Sequence, residues 1–372
     1  MKTPLYTPLI QSLPATVPFV GPEQSERDRG APFAARLGAN ENGFGPVPAA
    51  LAAMKTGVDD VWKYGDSTSF DLRTALAAVH GCSIDNIIVG EGIDGLLGLL
   101  VRLVIAPGDR VVTSAGAYPT FNYHVSAFGG EIVTVPYSDD YEDPARLFSR
   151  AADVGAKLVY LANPDNPMGT WHSGADIAAA LNQLPDGCLL ILDEAYVECA
   201  PAGTAAPISC DDHRVIRMRT FSKAYGMAGL RIGYALGQAA LIQSFDKIRN
   251  HFGVNRLAQV AAVAAVGDAE GLALRLSQIQ TARNQIAQVA RNNGLRPLDS
   301  ATNFVTIDCG QDGTFARAVL AELVERGCFV RMPFVAPQDR CIRVSCGPEA
   351  EVEVFATCLP QALAQVRASA DG

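Results

Sequence analysis

Residues 214–233 read RVIRMRTFSKAYGMAGLRIG. The stretch opens as a short β-branched run, the pattern of a strand buried in a sheet. Lys223 stands directly beyond it, with Thr220 and Ser222 beside it and glycines at 226 and 229 in the turn that follows. Arg231 comes eight positions after the lysine. In open α/β sheets, ligands collect beyond the carboxyl ends of the strands, so a lysine and an arginine placed there call for a chemical reason.

Working outward, runs of the same kind occur at IIVG (87–90), RVVTS (110–114), EIVTVPY (131–137), KLVYLAN (157–163), CLLILDEA (188–195) and GYALG (233–237). Helix-length connections separate most of them, and 70–80 and 94–105 have helical spacing. This alternation predicts an α/β fold with a mainly parallel sheet. Helical segments at 239–250 and 256–292 lead to a last region with strands at NFVTID (303–308), CFVRM (328–332) and CIRVSC (341–346). The expected organisation is a proline-rich, extended N-terminal arm at 1–45 that belongs to a small domain, a large ligand-binding domain at 46–255, and a linking helix with a small α+β domain at 256–372.

Composition narrows the function. Of 372 residues, 49% are hydrophobic and 19% charged, values of an ordinary globular protein. A net charge of −9 disfavours a nucleic-acid or anionic-membrane partner and points to small molecules. The nine cysteines are scattered without a CxxC pair, so neither a disulfide framework nor a metal site is expected, and a reducing cytoplasm is. The opening residues carry prolines where a leader would carry a basic and then an apolar stretch. The longest apolar runs are interrupted by Arg102 or Gly267, so no membrane span is expected.

Polar residues fall where the strands end: Asn163 and Asn166 in NPDNPMG (163–169), Asp193 in DEAY (193–196), and the turn GEGID (90–94) ahead of a helix. Each alone has a plain structural role, as a turn, a helix cap or a surface charge. Together they match the needs of one molecule. A phosphorylated pyridine aldehyde requires an amine for its aldehyde, donors for its phosphate, a carboxylate for its protonated ring nitrogen and a donor for its phenolate. That molecule is pyridoxal 5′-phosphate, with Lys223 as the amine, Arg231 on the phosphate and Asp193 on the ring nitrogen.

Asn166, Asp193, Tyr196, Lys223 and Arg231, with their spacings, resemble the class I/II aminotransferases of fold type I, in the histidinol-phosphate aminotransferase branch. The likeness runs from LGANENGFGP (37–46) through KYGD (63–66), AYPTF (117–121), TNFV (302–305) and FVRMP (329–333) to CIRVSCG (341–347). It implies a three-layer sandwich and a homodimer with shared active sites. Phe121 is implied to stack on the cofactor ring, Asn166 and Tyr196 to reach its phenolate, and Gly92, Ile93 and Asp94 to form the phosphate turn beside Thr220 and Ser222. Tyr64 is implied to reach the phosphate from the neighbouring subunit. Arg343 is implied to clamp a substrate carboxylate, with Asn40 lining the same substrate pocket, and Arg331 to hold a substrate phosphate.

The implied reaction passes an amino group from an amino acid or amino-alcohol phosphate to a 2-oxo acid, with Lys223 moving the proton. The chain departs from the pattern at Phe19, Ile93, Gly95 and Met168, where the branch carries tyrosine, serine, glutamate and threonine. Three other readings are a decarboxylase acting on a phosphorylated amino acid, a non-catalytic binder of the same cofactor, and a nucleotide-binding enzyme suggested by the glycine turn at 90–95. The last lacks both G-x-G-x-x-G and G-x-x-x-x-G-K-[ST].

Overall fold

The computed structural model describes residues 5–15 and 20–370. Seven strands form the central sheet: β1 (Ile87–Gly90), β2 (Arg110–Ser114), β3 (Glu131–Val135), β4 (Leu158–Ala162), β5 (Leu189–Asp193), β6 (Val215–Thr220) and β7 (Gly233–Leu236), in the spatial order β1-β7-β6-β5-β4-β2-β3. All run parallel except β7, which pairs antiparallel with β1 and β6. The reason lies in the opening stretch. The chain returns from β6 to β7 through the turn around Lys223 with no crossover helix, and only an antiparallel neighbour can be reached that way.

Both faces of this sheet are covered. Ile191 of β5 packs among Leu96, Leu97 and Leu100 of the helix Gly92–Val104, while Leu190 and Leu192 pack with Leu147 and Phe148 of the helix Pro144–Val154. Strand side chains alternate between faces, so a continuous apolar run of this kind builds three layers. Each fully buried leucine or phenylalanine contributes about 1.5–3 kcal/mol.

A second core lies beyond the sheet. Phe304–Asp308 pairs antiparallel with Cys341–Ser345 and Arg296–Pro297, under the helices Gly313–Glu325 and Glu349–Ala370. Ala35 and Leu37 are buried in the same core, and Ala35–Arg36 pairs with Cys328–Phe329, so the segment 35–37 packs with the C-terminal region.

Two local expectations change. The arm is not simply extended: it carries the short helices Pro8–Ser12 and Pro22–Arg29, each with proline in its first turn, where the missing N–H costs no hydrogen bond. The helical segment 256–292 is two helices, Arg256–Val266 and Ala269–Asn292, bent by 89°. Asp268 makes the corner by capping Gly271 N at 2.9 Å while also accepting from Ala49 N. Among the described residues no single helix is long and apolar enough to cross a membrane.

Candidate active site

The carboxyl ends of the strands and the segment around Asn40 enclose a cavity of about 320 Å³. Lys223 reaches into it from the turn after β6. Its Nζ donates to the Asn40 carbonyl at 3.1 Å and lies 5.6 Å from the centre of the Tyr196 ring. Burial, reinforced by the positive charges of Arg343 and Arg231, lowers the Lys223 amine to about 8. Close to neutral pH this amine is therefore available as a nucleophile or a base.

Asn40 is the hub that orients this end of the cavity. Its backbone is held at a φ of 54°, and its side chain is fixed on both sides: Ser345 Oγ donates to Oδ1 at 3.0 Å, and Nδ2 donates to the Tyr196 hydroxyl at 3.1 Å. Asn303 Nδ2 donates to the same carbonyl that Lys223 meets.

Asp193 lines the same cavity, as the last residue of β5. Oδ1 accepts from Ala195 N at 2.9 Å and Oδ2 from the Tyr160 hydroxyl at 2.6 Å. Burial nonetheless pushes the carboxyl up to about 6. A cationic group arriving at this buried carboxylate would be favoured electrostatically.

The turn after β4 carries Asn166. It begins with a cis Asn163–Pro164 peptide and is tied back by Asn163, whose side chain bonds both the N–H and the carbonyl of His172. Asn166 Oδ1 accepts from Arg343, which also donates to the Gly38 carbonyl at 3.3 Å and lies over the Phe304 ring. Burial brings the Arg343 guanidinium down to about 10. Arg331 is locked to Arg343 by paired backbone hydrogen bonds, and its side chain donates to the Val20 carbonyl of the arm at 2.5 Å. Phe19, the neighbour of Val20, lies outside the described residues.

An anion cradle forms at the third corner. Gly92 opens a helix with a φ of 78°, and Arg231, itself left-handed at 53°, is held by the Ala228 carbonyl and faces Asp94 at 3.8 Å. A Cβ on residue 92 would fall 2.6 Å from Arg231 Nη2, so the guanidinium packs where a side chain would otherwise stand. Ile93 lines the same corner, and Thr220 and Ser222 bond each other beside it at 2.9 Å. Backbone donors at a helix N-terminus with an arginine suit a phosphate.

Phe121 and Tyr64 stand apart from the residues that line this chain's cavity. Phe121 has no exposed surface and does not line the cavity; it stacks on Tyr160 with ring centroids 5.1 Å apart. It sits on the helix Thr120–Ala127, where Phe121 and Val125 form the buried face at helical spacing. Tyr118, just before that helix, lines the cavity instead, and its hydroxyl donates to Asp94 at 3.4 Å. Tyr64 is not in its own chain's cavity: it is 79% exposed and packs on Phe252. Tyr160, Asn303 and Ser345 were missed because nothing in sequence marks a residue in or beside a strand as facing a particular partner.

A family model for aminotransferase class I and II matches residues 35–359. The chain belongs to this family. The solved histidinol-phosphate aminotransferase of Sinorhizobium meliloti is 51% identical to it, covering 98% of this chain and 99% of the other, with a TM-score of 0.95. Curated histidinol-phosphate aminotransferases from Mesorhizobium japonicum and Moorella thermoacetica are 35% and 32% identical, over 88% and 95% of this chain and 90% and 92% of theirs. As a fold type I aminotransferase, the chain has the mainly parallel, helix-covered sheet that its sequence pattern anticipates.

Proposed function

We propose that this aminotransferase uses pyridoxal 5′-phosphate to move the amino group of a phosphorylated amino alcohol, of the histidinol phosphate type, onto a 2-oxo acid. The observation that carries the reading is the position of Lys223, a half-buried amine that lines the same cavity as the buried carboxylate of Asp193. The Sinorhizobium meliloti structure is of a complex with pyridoxal-5′-phosphate, and the curated relatives carry the corresponding substrate in their names.

The residues fit the cofactor. Gly92, Ile93, Asp94 and Arg231 would cradle its phosphate, Asp193 its ring nitrogen, Asn166 and Tyr196 its phenolic oxygen, Tyr118 its ring face and Lys223 its aldehyde. When bound, the cofactor supplies a cationic ring that accepts the electron pair released at the donor's Cα and carries the amino group between the two half-reactions. The protein's own part is positional and acid–base. Lys223 Nζ, neutral for much of the time near pH 8, is the base that takes the Cα proton. Asp193 holds its negative charge against the ring nitrogen, and Arg331 and Arg343 offer paired guanidinium groups to a phosphate in one half-reaction and a carboxylate in the other.

A homodimer belongs to the same reading. Val58, Val61, Trp62, Tyr64 and Phe252 are each more than half exposed, and such a cluster of apolar surface suits a subunit interface. In a homodimer built on it, Tyr64 reaches the partner's phosphate cradle.

The test is a panel of amino donors with 2-oxoglutarate, read by cofactor absorbance and by the new amino acid formed. Histidinol phosphate should give the highest kcat/KM. Release of carbon dioxide without a new amino acid, or equal rates with unphosphorylated donors, contradicts the proposal.

A further inference from the structure

Behind the Asn166 turn two carboxyl groups meet away from solvent. Glu142 comes from the loop after β3 and Asp165 from the turn after β4, and each is 2% exposed. Ser114 Oγ donates to Glu142 Oε2 at 2.6 Å and Ala162 N to Oε1 at 3.0 Å, so Glu142 ties together the ends of β2 and β4. Tyr137 donates to Asp165 Oδ1 at 3.0 Å and Met168 N to Oδ2 at 3.0 Å, which closes the turn on itself. The two carboxyl groups are also hydrogen-bonding neighbours of each other.

Two carboxylates cannot share such a contact while both are ionised, because neither then has a hydrogen to give. Among the described residues no cation forms an ion pair with either. Arg343 acts on Asp165 only through space and is engaged with Asn166 and Gly38. Tyr137 and Tyr160 face the pair as neutral phenols, and His172 presents Nε2 to the Glu142 backbone carbonyl at 2.6 Å, not to the carboxyl. Buried like charges without a counterion are relieved by retaining a proton.

We propose that Glu142 and Asp165 work as one buried acid, with a single proton held between their carboxyl groups, and that this proton fixes the turn that presents Asn166 to the cavity. Both are positioning residues: neither lines the cavity, and they act through Asn166 and its contact with Arg343. Burial raises Glu142 well above the carboxylate range and Asp165 to about 6, the direction that a retained proton requires. The catalytic consequence rests on the reading of Asn166 given above, whereas the shared proton does not.

The experiment compares the wild-type holoenzyme with Glu142→Gln and Glu142→Ala. Glutamine keeps the shape, an oxygen for Ala162 N and an N–H for Asp165, so turnover should stay close to wild type. Alanine leaves Asp165 without its proton donor, and turnover should fall roughly ten- to a hundredfold as Asn166 is misplaced. Difference infrared spectra at neutral pH should show one protonated-carboxyl band that Glu142→Gln lacks. The pH dependence of stability has a defined sign. A carboxyl with a native pKa above its unfolded value of about 4.3 favours folding while protonated, and that contribution is lost as pH rises toward the native pKa. The Tm of Glu142→Gln should therefore gain on wild type as pH increases. An unchanged infrared band, or a Tm difference constant with pH, overturns the shared proton. A band lost as expected, with Glu142→Ala as active as Glu142→Gln, overturns its role in positioning Asn166. Because infrared and Tm readings do not depend on the donor used, a failed substrate assignment cannot be mistaken for a failed proton assignment.

Discussion

The phenol of Tyr160 donates to Asp193 Oδ2 at 2.6 Å, and both side chains are buried. This contact occupies one carboxylate oxygen and stabilises the anion against the burial that pushes it toward protonation. Tyr160→Phe keeps the ring stacked on Phe121 and removes only the donor. A hydrogen bond to a charged group contributes about 1.5–3 kcal/mol, so cofactor affinity should weaken by that amount with little loss of Tm. Absorbance titration of the cofactor-free variant with pyridoxal phosphate measures this, and an affinity equal to wild type would remove Tyr160 from the site.

Affinity for the cofactor should also depend on pH in a fixed direction. Asp193 must be ionised to face a cationic ring, and its carboxyl takes up a proton below about 6. Affinity measured from pH 8 down to pH 5 should fall as pH passes through that value, and a flat profile would contradict the pairing.

The amine sets the opposite limit. Lys223 reacts only when neutral, and its pKa of about 8 places half of it in that form near pH 8. In the cofactor-free protein the rate of covalent attachment should rise about tenfold per pH unit below that value and level off above it. A rate still climbing steeply at pH 9–10 would mean an ordinary, solvated lysine.

Gly92 is required twice over, by its φ of 78° and by the Arg231 guanidinium that occupies the place of a side chain. Gly92→Ala should cost about 1–2 kcal/mol of backbone strain and weaken phosphate binding further. Inorganic phosphate competing against pyridoxal phosphate reads the cradle directly, and its inhibition should be weaker in the variant.

Tyr64 provides a test of subunit sharing. Lys223→Ala and Tyr64→Ala are each expected to be impaired. In a mixed dimer of the two, one site would combine both substitutions and the other would be wild type, so co-refolding should raise activity above the sum of the separate variants. Mere additivity would show that Tyr64 serves its own chain.

The strands and the residues at their ends were legible because both follow from local chemistry. A short apolar run buried on both faces has one reading, and Asp193, Asn166 and Lys223 stand where such runs stop. Orientation was not legible in the same way. β7 runs against its neighbours because the turn around Lys223 is too short for a crossover, a fact of distance and not of hydrophobicity. Phe121 and Tyr118 are both aromatic and only three apart, and the start of the helix at Thr120 decides which one faces the cavity. Glu142, distant from every motif, becomes significant only when the fold carries it behind Asp165.

The most direct test of the central claim is borohydride reduction of the protein supplied with pyridoxal 5′-phosphate, followed by peptide mass analysis. The account predicts one modified residue, Lys223, and none in Lys223→Ala. A label on another lysine, or no label with the fold intact, would contradict it.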